Sequence, residues 1–307
     1  MNRYAWVLAP AFIALAMNAE AQQRDFSKVE IKTHALGHNT YELEGEGGNI
    51  TIAVASKGVI MVDGEFAPLH DKIKAAIAAL TANPVRYLVN THFHGDHSGG
   101  NAPFATEGAT IVAEANVKKR LAEGTTNGLT GAKTPPAAPE ALPKRTYDTS
   151  MTLKLGNRTA RLGHPAHAHT DGDTYVYFAD ANVLATGDVF TNGRYPNIDF
   201  ANGGNIKGMI AGVDIYLKLA NDETKIVPGH GPVANKAMLR EYRVMLVAAR
   251  DRVAKLIKEG KSEQAAVAAK PMSDYDAKLG ASEQQATNFI RVVYNSLKPS
   301  MSAGMKM

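Results

Sequence analysis

Hydrophobic residues fall along this chain in short blocks whose spacing predicts strands alternating with helices. Residues 49–54 and 58–62 are apolar, β-branched runs, and Ser56-Lys57-Gly58 between them is a turn signal, so they predict a hairpin. Residues 68–81 predict a helix, because Ile73, Ala76, Ile77 and Leu80 fall on one face and Asn83-Pro84 stops it. Residues 85–89 read as a buried strand and 109–113 as another. The His- and Gly-rich stretch 90–100 between them reads as a loop. Residues 124–144, rich in Gly, Thr, Pro and Ala, predict an exposed irregular loop, with strand patterns resuming at 151–155, 174–178, 183–185 and 225–227.

The C-terminal third is helical. Met238, Leu239, Tyr242, Leu246, Ala249, Val253 and Ile257 recur at helical spacing, and Gly260 ends the pattern. Ser282 followed by Gln285 is a capping-box signature for a last helix whose apolar face carries Phe289, Ile290, Val293, Tyr294 and Leu297. These helices, over 237–298, read as packing elements rather than as a membrane surface.

The first residues have a different layout. Arg3 is followed by an apolar run over 4–17, then Ala19-Glu20-Ala21 and a polar stretch. This is the order of a secretory signal peptide, too short for a comfortable membrane span. It predicts cleavage after 21, a mature chain over 22–307 forming one domain, and a periplasmic or secreted location with no membrane contact after cleavage. The chain has no cysteine, so an exported fold must rely on its core rather than on disulfides. Neither a thiol nucleophile nor a thiolate metal ligand is available. A hydrophobic content of 45% with 21% charged residues fits a globular protein. The net charge of +4 is spread along the chain without a basic block, which argues against a nucleic-acid partner.

The chemistry concentrates in Thr91-His92-Phe93-His94-Gly95-Asp96-His97, where three imidazoles and a carboxylate follow an apolar strand. Crowded imidazoles repel one another when protonated, and a bound cation explains the cluster economically. His92 and His94 are two apart, so an extended segment presents both on one side, while Gly95 can turn Asp96 and His97 toward a second ion. Further partners stand at strand ends: His169 in His169-Thr170-Asp171-Gly172-Asp173, Asp188 in Thr186-Gly187-Asp188, and His230 in Pro228-Gly229-His230-Gly231. By spacing alone His167, two residues before His169, is an equal candidate. Asp171 or Asp173 is a candidate for fixing an imidazole tautomer.

These motifs resemble those of the metallo-β-lactamase superfamily: His92 to His97 match its H-x-H-x-D-H string, with His169, Asp188 and His230 in the order of its later ligands. The resemblance spans roughly residues 35–260. It implies an α/β fold of the αββα sandwich type, with two facing sheets and helices outside. It also implies a first metal held by His92, His94 and His169, a second held by Asp96, His97 and His230, and Asp188 between them. His169 rather than His167 takes the ligand role. The nitrogen and oxygen donors suit two zinc ions, with iron or manganese also accepted.

The implied chemistry is metal-dependent hydrolysis of a small molecule through a metal-activated hydroxide, with Asp96 orienting the nucleophile. A cyclic amide or ester, preferably a β-lactam, is the expected substrate. β-Lactamases of the family generally carry Cys or Ser where Asp188 stands, and an aspartate there resembles the lactonases and glyoxalase-II-type thioesterases instead. Other readings are a di-iron redox protein, for which no flavin-binding pattern is present, and a non-catalytic periplasmic metal-binding protein. The stretch 190–204, with Tyr195, Asp199 and Gly203-Gly204, and the loop 124–144 are candidate walls of the cleft.

Overall fold

The structure is a computed structural model that describes residues 25–298. The expected signal peptide therefore lies outside the described residues. The strands are β1 (Lys32–Gly37), β2 (Thr40–Glu44), β3 (Ile50–Ala55), β4 (Gly58–Val62), β5 (Val85–Val89) and β6 (Thr110–Glu114). A two-stranded hairpin of β7 (Thr125–Thr126) and β8 (Lys133–Thr134) follows, then β9 (Arg145–Tyr147). The series closes with β10 (Ser150–Leu155), β11 (Arg158–Gly163), β12 (Tyr175–Phe178), β13 (Val183–Ala185) and β14 (Lys225–Val227). The helices are α1 (His70–Ala78), α2 (Gly95–Ser98), α3 (Asn101–Thr106), α4 (Ala115–Glu123), α5 (Ile206–Leu219), α6 (Lys236–Lys258), α7 (Glu263–Ala268), α8 (Ser273–Leu279) and α9 (Glu283–Leu297).

Two sheets stack face to face. The first has strand order β1-β2-β3-β4-β5-β6-β9 and the second β10-β11-β12-β13-β14. Period-two alternation decides which side chain enters which layer. Along β4, Ile60 and Val62 point between the sheets to meet Phe178, Val183 and Val227, while Val59 and Met61 point outward to Ile73 and Ile77 of α1. Along β13, Val183 and Ala185 face the first sheet and Leu184 faces α5 and α6. Each sheet thus carries helices on its outer face, which is the αββα sandwich expected from the resemblance.

The β3–β4 hairpin pairs antiparallel as the turn signal predicts, and β5 spans the run read from sequence. The helix expected over 68–81 opens as a 3₁₀ turn at Ala67–Leu69 and continues as α1, since Pro68 is tolerated only at a helix start. At the other end of the chain, α6 stops before Gly260, which adopts φ +75°, and α9 carries the full capping box of Ser282 and Gln285. Two stretches read as loops hold more order than expected: 90–100 contains the single turn α2, and 124–144 contains the β7–β8 hairpin.

Strand direction places the site. β4, β5 and β6 run parallel in one sheet, and β13 and β14 run parallel in the other. Their carboxyl ends open on one edge of the sandwich, where loops from parallel strands commonly build sites. No helix among the described residues is long and apolar enough to cross a membrane.

Candidate metal centre

Asp63 follows β4, His92 follows β5, Asp188 follows β13 and His230 follows β14. His169 lies in the connection from β11 to β12. After β5 the chain bends through Thr91, His92 and Phe93, and His94 is extended, with φ −62° and ψ 146°, before α2 begins at Gly95. Across that single helical turn His94 groups with His92 and His169 and Asp96 with His97 and His230, although the His97 ring still lies 4.2 Å from that of His92.

The seven residues predicted from sequence come together as three overlapping groups: His92, His94 and His169; His92, His97 and Asp188; and Asp96, His97 and His230. In the first group His94 Nδ1 lies 3.1 Å from His92 Nε2 and 3.0 Å from His169 Nε2. In the last, His230 Nε2 lies 3.2 Å from Asp96 Oδ2 and 3.4 Å from His97 Nε2. Asp188 stands between them, with Oδ2 3.7 Å from His169 Nε2 and Oδ1 3.3 Å from His97 Nε2.

The outward ring nitrogens decide what the inward ones can do. His169 Nδ1 faces the carbonyl of Asn197 at 2.9 Å, an acceptor only, so this nitrogen carries the proton. His94 Nε2 donates to Asp199 Oδ2 at 3.0 Å. Thr91 gives its hydroxyl proton to Asp63 Oδ2 and accepts from His92 Nδ1 at 3.0 Å. The same Asp63 oxygen accepts from His97 Nδ1 at 2.9 Å. In their neutral forms the inward nitrogens of His92, His94 and His169 are therefore three lone pairs facing one another. Such a cluster is repulsive by itself and complete around a cation. Asp188 Oδ1 is buried without a hydrogen bond of good geometry, as a carboxylate reserved for a cation would be. Nitrogen and oxygen donors without sulfur fit zinc, iron or manganese.

The two ends of the centre differ in charge. Burial, then the neighbouring imidazoles of His97, His169 and His94, push His92 well below the usual histidine range, and burial takes His169 down to about 4. Burial opposes a charge on His97 as well, yet Asp188, Asp63 and Asp96 together hold it well above the usual range. His230 is likewise raised to about 9 against its burial, chiefly by Asp188. Without metal, the Asp96–His97–His230 end keeps protons at pH 7 that a cation must displace. Metal binding is therefore expected to release protons at pH 7, and on lowering the pH the ion at this end should leave first. Calorimetric titration in two buffers of different ionisation enthalpy counts those protons. Binding without proton release at pH 7 would contradict the assignment.

His167 is exposed, adopts φ +53° and pairs with the carbonyl of Gly203, so it stands outside the three groups. The expectation for Asp171 and Asp173 needs correction. The Asp171 carboxylate is engaged by Arg120 and that of Asp173 accepts from the amide and hydroxyl of Thr170, so neither carboxylate orients a histidine of the three groups; the Asp173 carbonyl instead meets His164 Nδ1 at 2.7 Å. The orienting carboxylates are Asp63 and Asp199. Asp63 had a legible signal, an aspartate closing an apolar strand just as Asp188 does.

Gly48 packs against the site from the loop between β2 and β3. Its amide donates to the Asp96 carbonyl, and a Cβ at this position would overlap the His97 ring. Gly48→Ala is expected to displace His97 and weaken the second ion at least ~10-fold, as loss of ligand orientation does. Competition with a chromogenic chelator measures it, and unchanged affinity would contradict the packing.

Residues 43–231 match the Metallo-beta-lactamase superfamily. This chain belongs to that superfamily. It is a metallo-hydrolase by membership. A metallo-beta-lactamase type 2 of Bacillus sp. is 23% identical over 197 residues, covering 64% of this chain and 71% of that one. A hydroxyacylglutathione hydrolase of Polaromonas sp. is 26% identical over 174 residues, covering 55% and 57%. The metallo-beta-lactamase structure from Pontibacter korlensis superposes with a TM-score of 0.59 at 17% identity, covering 71% of this chain and 99% of its own. The fold shared with that structure includes the sandwich, whereas α6 to α9 lie beyond the residues matched to the superfamily.

The centre opens into a cleft of about 640 Å³. Glu44, Glu46, His94, Asp96, Asp188 and Arg194 are among its lining residues. The stretch 190–204 does supply a wall, through Thr191, Arg194, Tyr195 and Asn197. The loop 124–144 does not line this cleft and borders two neighbouring pockets instead.

Proposed function

We propose that this chain is an exported, periplasmic hydrolase that uses two metal ions, zinc by preference, to open a cyclic amide or ester, with a β-lactam as the preferred substrate. The observation that carries this reading is the paired geometry: two donor groups with one carboxylate, Asp188, reaching both. His92, His94 and His169 would hold one ion, Asp96, His97 and His230 the other, and Asp188 would bridge. Ions so placed would lower the pKa of water to near neutrality and polarise the scissile carbonyl.

The chain's own residues then position the substrate and the proton. Asp96 is half-buried at the cleft wall and reaches His230, so its carboxylate can orient the attacking water and accept its proton. Among the described residues the Arg194 guanidinium at the rim has no hydrogen bond or ion pair. It suits the carboxylate of a small anionic substrate, which supports the β-lactam preference. Asp188 supports a second reading, a lactonase or thioesterase, because the family's β-lactamases generally place Cys or Ser there.

Assay of the purified, zinc-loaded chain with a chromogenic cephalosporin, a lactone and a thioester separates the two readings. Cephalosporin turnover that a chelator abolishes and zinc restores is the expected result. Turnover of only the lactone or thioester would remove the β-lactam reading. Metal binding with no turnover of any of them would leave a metal-binding protein in place of an enzyme on these substrates.

A further inference from the structure

A second pocket of about 570 Å³ adjoins the metal cleft. It lies between the residues joining β7 to β8, the loop 193–197, and the first half of α9. The two hollows share Arg194, Tyr195 and Asn197 as a common wall. Their chemistry differs sharply. The metal cleft is lined by Glu44, Glu46, Asp96 and Asp188, whereas among the described residues the second pocket has no carboxylate side chain in its lining. Side-chain amides of Asn127, Gln284 and Asn288 stand there beside apolar Leu129 and Phe289. Arg291 also borders it, but its charge is taken up by Glu263 at 2.7 Å.

The shared wall is firmly held. Tyr195 stacks on Phe289 with ring centroids 4.3 Å apart and planes 14° from parallel, and its hydroxyl donates to Asp276 at 2.6 Å. Gln284 donates to Asn288 Oδ1 at 2.8 Å, which leaves the Asn288 amino group and the Gln284 carbonyl for a ligand. A pre-organised wall lowers the ordering cost of binding. Helices α8 and α9, which build the far side, lie beyond the superfamily match. The pocket thus joins loops within the matched residues to helices beyond them.

We propose that this pocket is a distal substrate subsite that takes an uncharged, amide-bearing tail of about dipeptide size with one apolar side chain, attached to the group hydrolysed at the metal centre. This rests on the hydrolase reading above for the position of the scissile bond. Amide side chains both donate and accept, which matches a tail carrying its own C=O and N–H groups. Leu129 and Leu279, both half-buried in the lining, give an apolar substituent a surface to cover. The lining offers a charged tail no free partner except Arg194, which stands at the junction with the metal cleft.

Two chromogenic cephalosporins with the same ring and leaving group test this, one with an acetamido side chain and one with an acetyl-alanyl-leucyl side chain. The zinc-loaded chain is expected to show a KM ~10-fold lower for the longer substrate, the scale of one or two hydrogen bonds with some apolar burial. Asn288→Leu is expected to remove that advantage. Equal KM values for the two substrates with the unaltered chain would overturn the subsite. A binding measurement stands apart from turnover: N-acetyl-alanyl-leucinamide, titrated into the protein and followed by NMR, should shift the side-chain amides of Asn288 and Gln284 saturably. If neither cephalosporin is hydrolysed but the peptide amide binds there, the hydrolase reading on β-lactams fails and the subsite stands. Absence of saturable shifts at α9 would overturn the subsite whatever the enzyme hydrolyses.

Discussion

Asp188→Ala is expected to lower kcat/KM by roughly 10³-fold on whichever substrate the enzyme turns over, while the protein stays folded. The magnitude follows from the several kcal/mol that paired metal ions contribute to such a step, at about 1.36 kcal/mol per tenfold. Among the described residues Asp188 is the one carboxylate paired with histidines of both end groups, 3.7 Å from His169 and 3.3 Å from His97. Its removal would unlink the two ends. Retention of the fold follows because burying a carboxylate is costly, and that cost disappears with the side chain. Circular dichroism and steady-state kinetics on the same preparation check both halves. Activity within tenfold of the unaltered enzyme would mean that the two groups do not act as a unit.

Asp63→Asn is expected to weaken both metal sites, although Asp63 belongs to none of the three donor groups. One of its oxygens receives protons from His97 Nδ1 and from the Thr91 hydroxyl, which in turn accepts from His92 Nδ1; the other receives the Thr91 amide at 2.7 Å. An asparagine amino group at the shared position would face two donors with a donor of its own. Loss of such orienting partners typically costs 10–100-fold in affinity, and here the loss should appear at both ions, since His92 and His97 fall in different end groups. The substitution also leaves a buried donor unpaired, for about 1–3 kcal/mol of stability. Chelator competition gives the two affinities and thermal melting gives the stability. A change at only one ion would mean that Asp63 serves one histidine, not two.

How much of this was legible in the sequence follows from how local each signal is. The β3–β4 hairpin and β5 were readable because their apolar runs are continuous and bounded by Ser56-Lys57-Gly58 and Pro84. The cluster of donor side chains was readable because histidines and aspartates grouped at strand ends are chemically distinctive. β11 was not, since Arg158 and Arg161 interrupt its pattern; Arg158 is nevertheless buried, its charge met by Asp180 and its donors by the His38 carbonyl. α5 was hidden by Gly208 and Gly212, which read as helix breakers. In the fold they are needed: a Cβ on Gly208 would run into the His167 carbonyl, so the glycine lets the helix lie against the loop that carries His169.

The orienting groups were the least legible part. Asp199 is remote in sequence from His94, as the Asn197 carbonyl is from His169, and which of several aspartates meets an imidazole depends on how loops fold across the sheet edge. Asp171 and Asp173, close to His169 in sequence, were the natural guess. They are spent on Arg120 and on Thr170, where they shape the loop that presents His169. The proximity of a carboxylate along the chain said little about its partner in space.

The most direct test of the central claim is a crystal structure of the zinc-loaded protein with anomalous data collected at the zinc edge. Two peaks per chain are predicted, one among His92, His94 and His169 and one among Asp96, His97 and His230, with Asp188 reaching both. A single peak, or peaks away from these residues, would contradict a two-metal centre built on this edge of the sandwich.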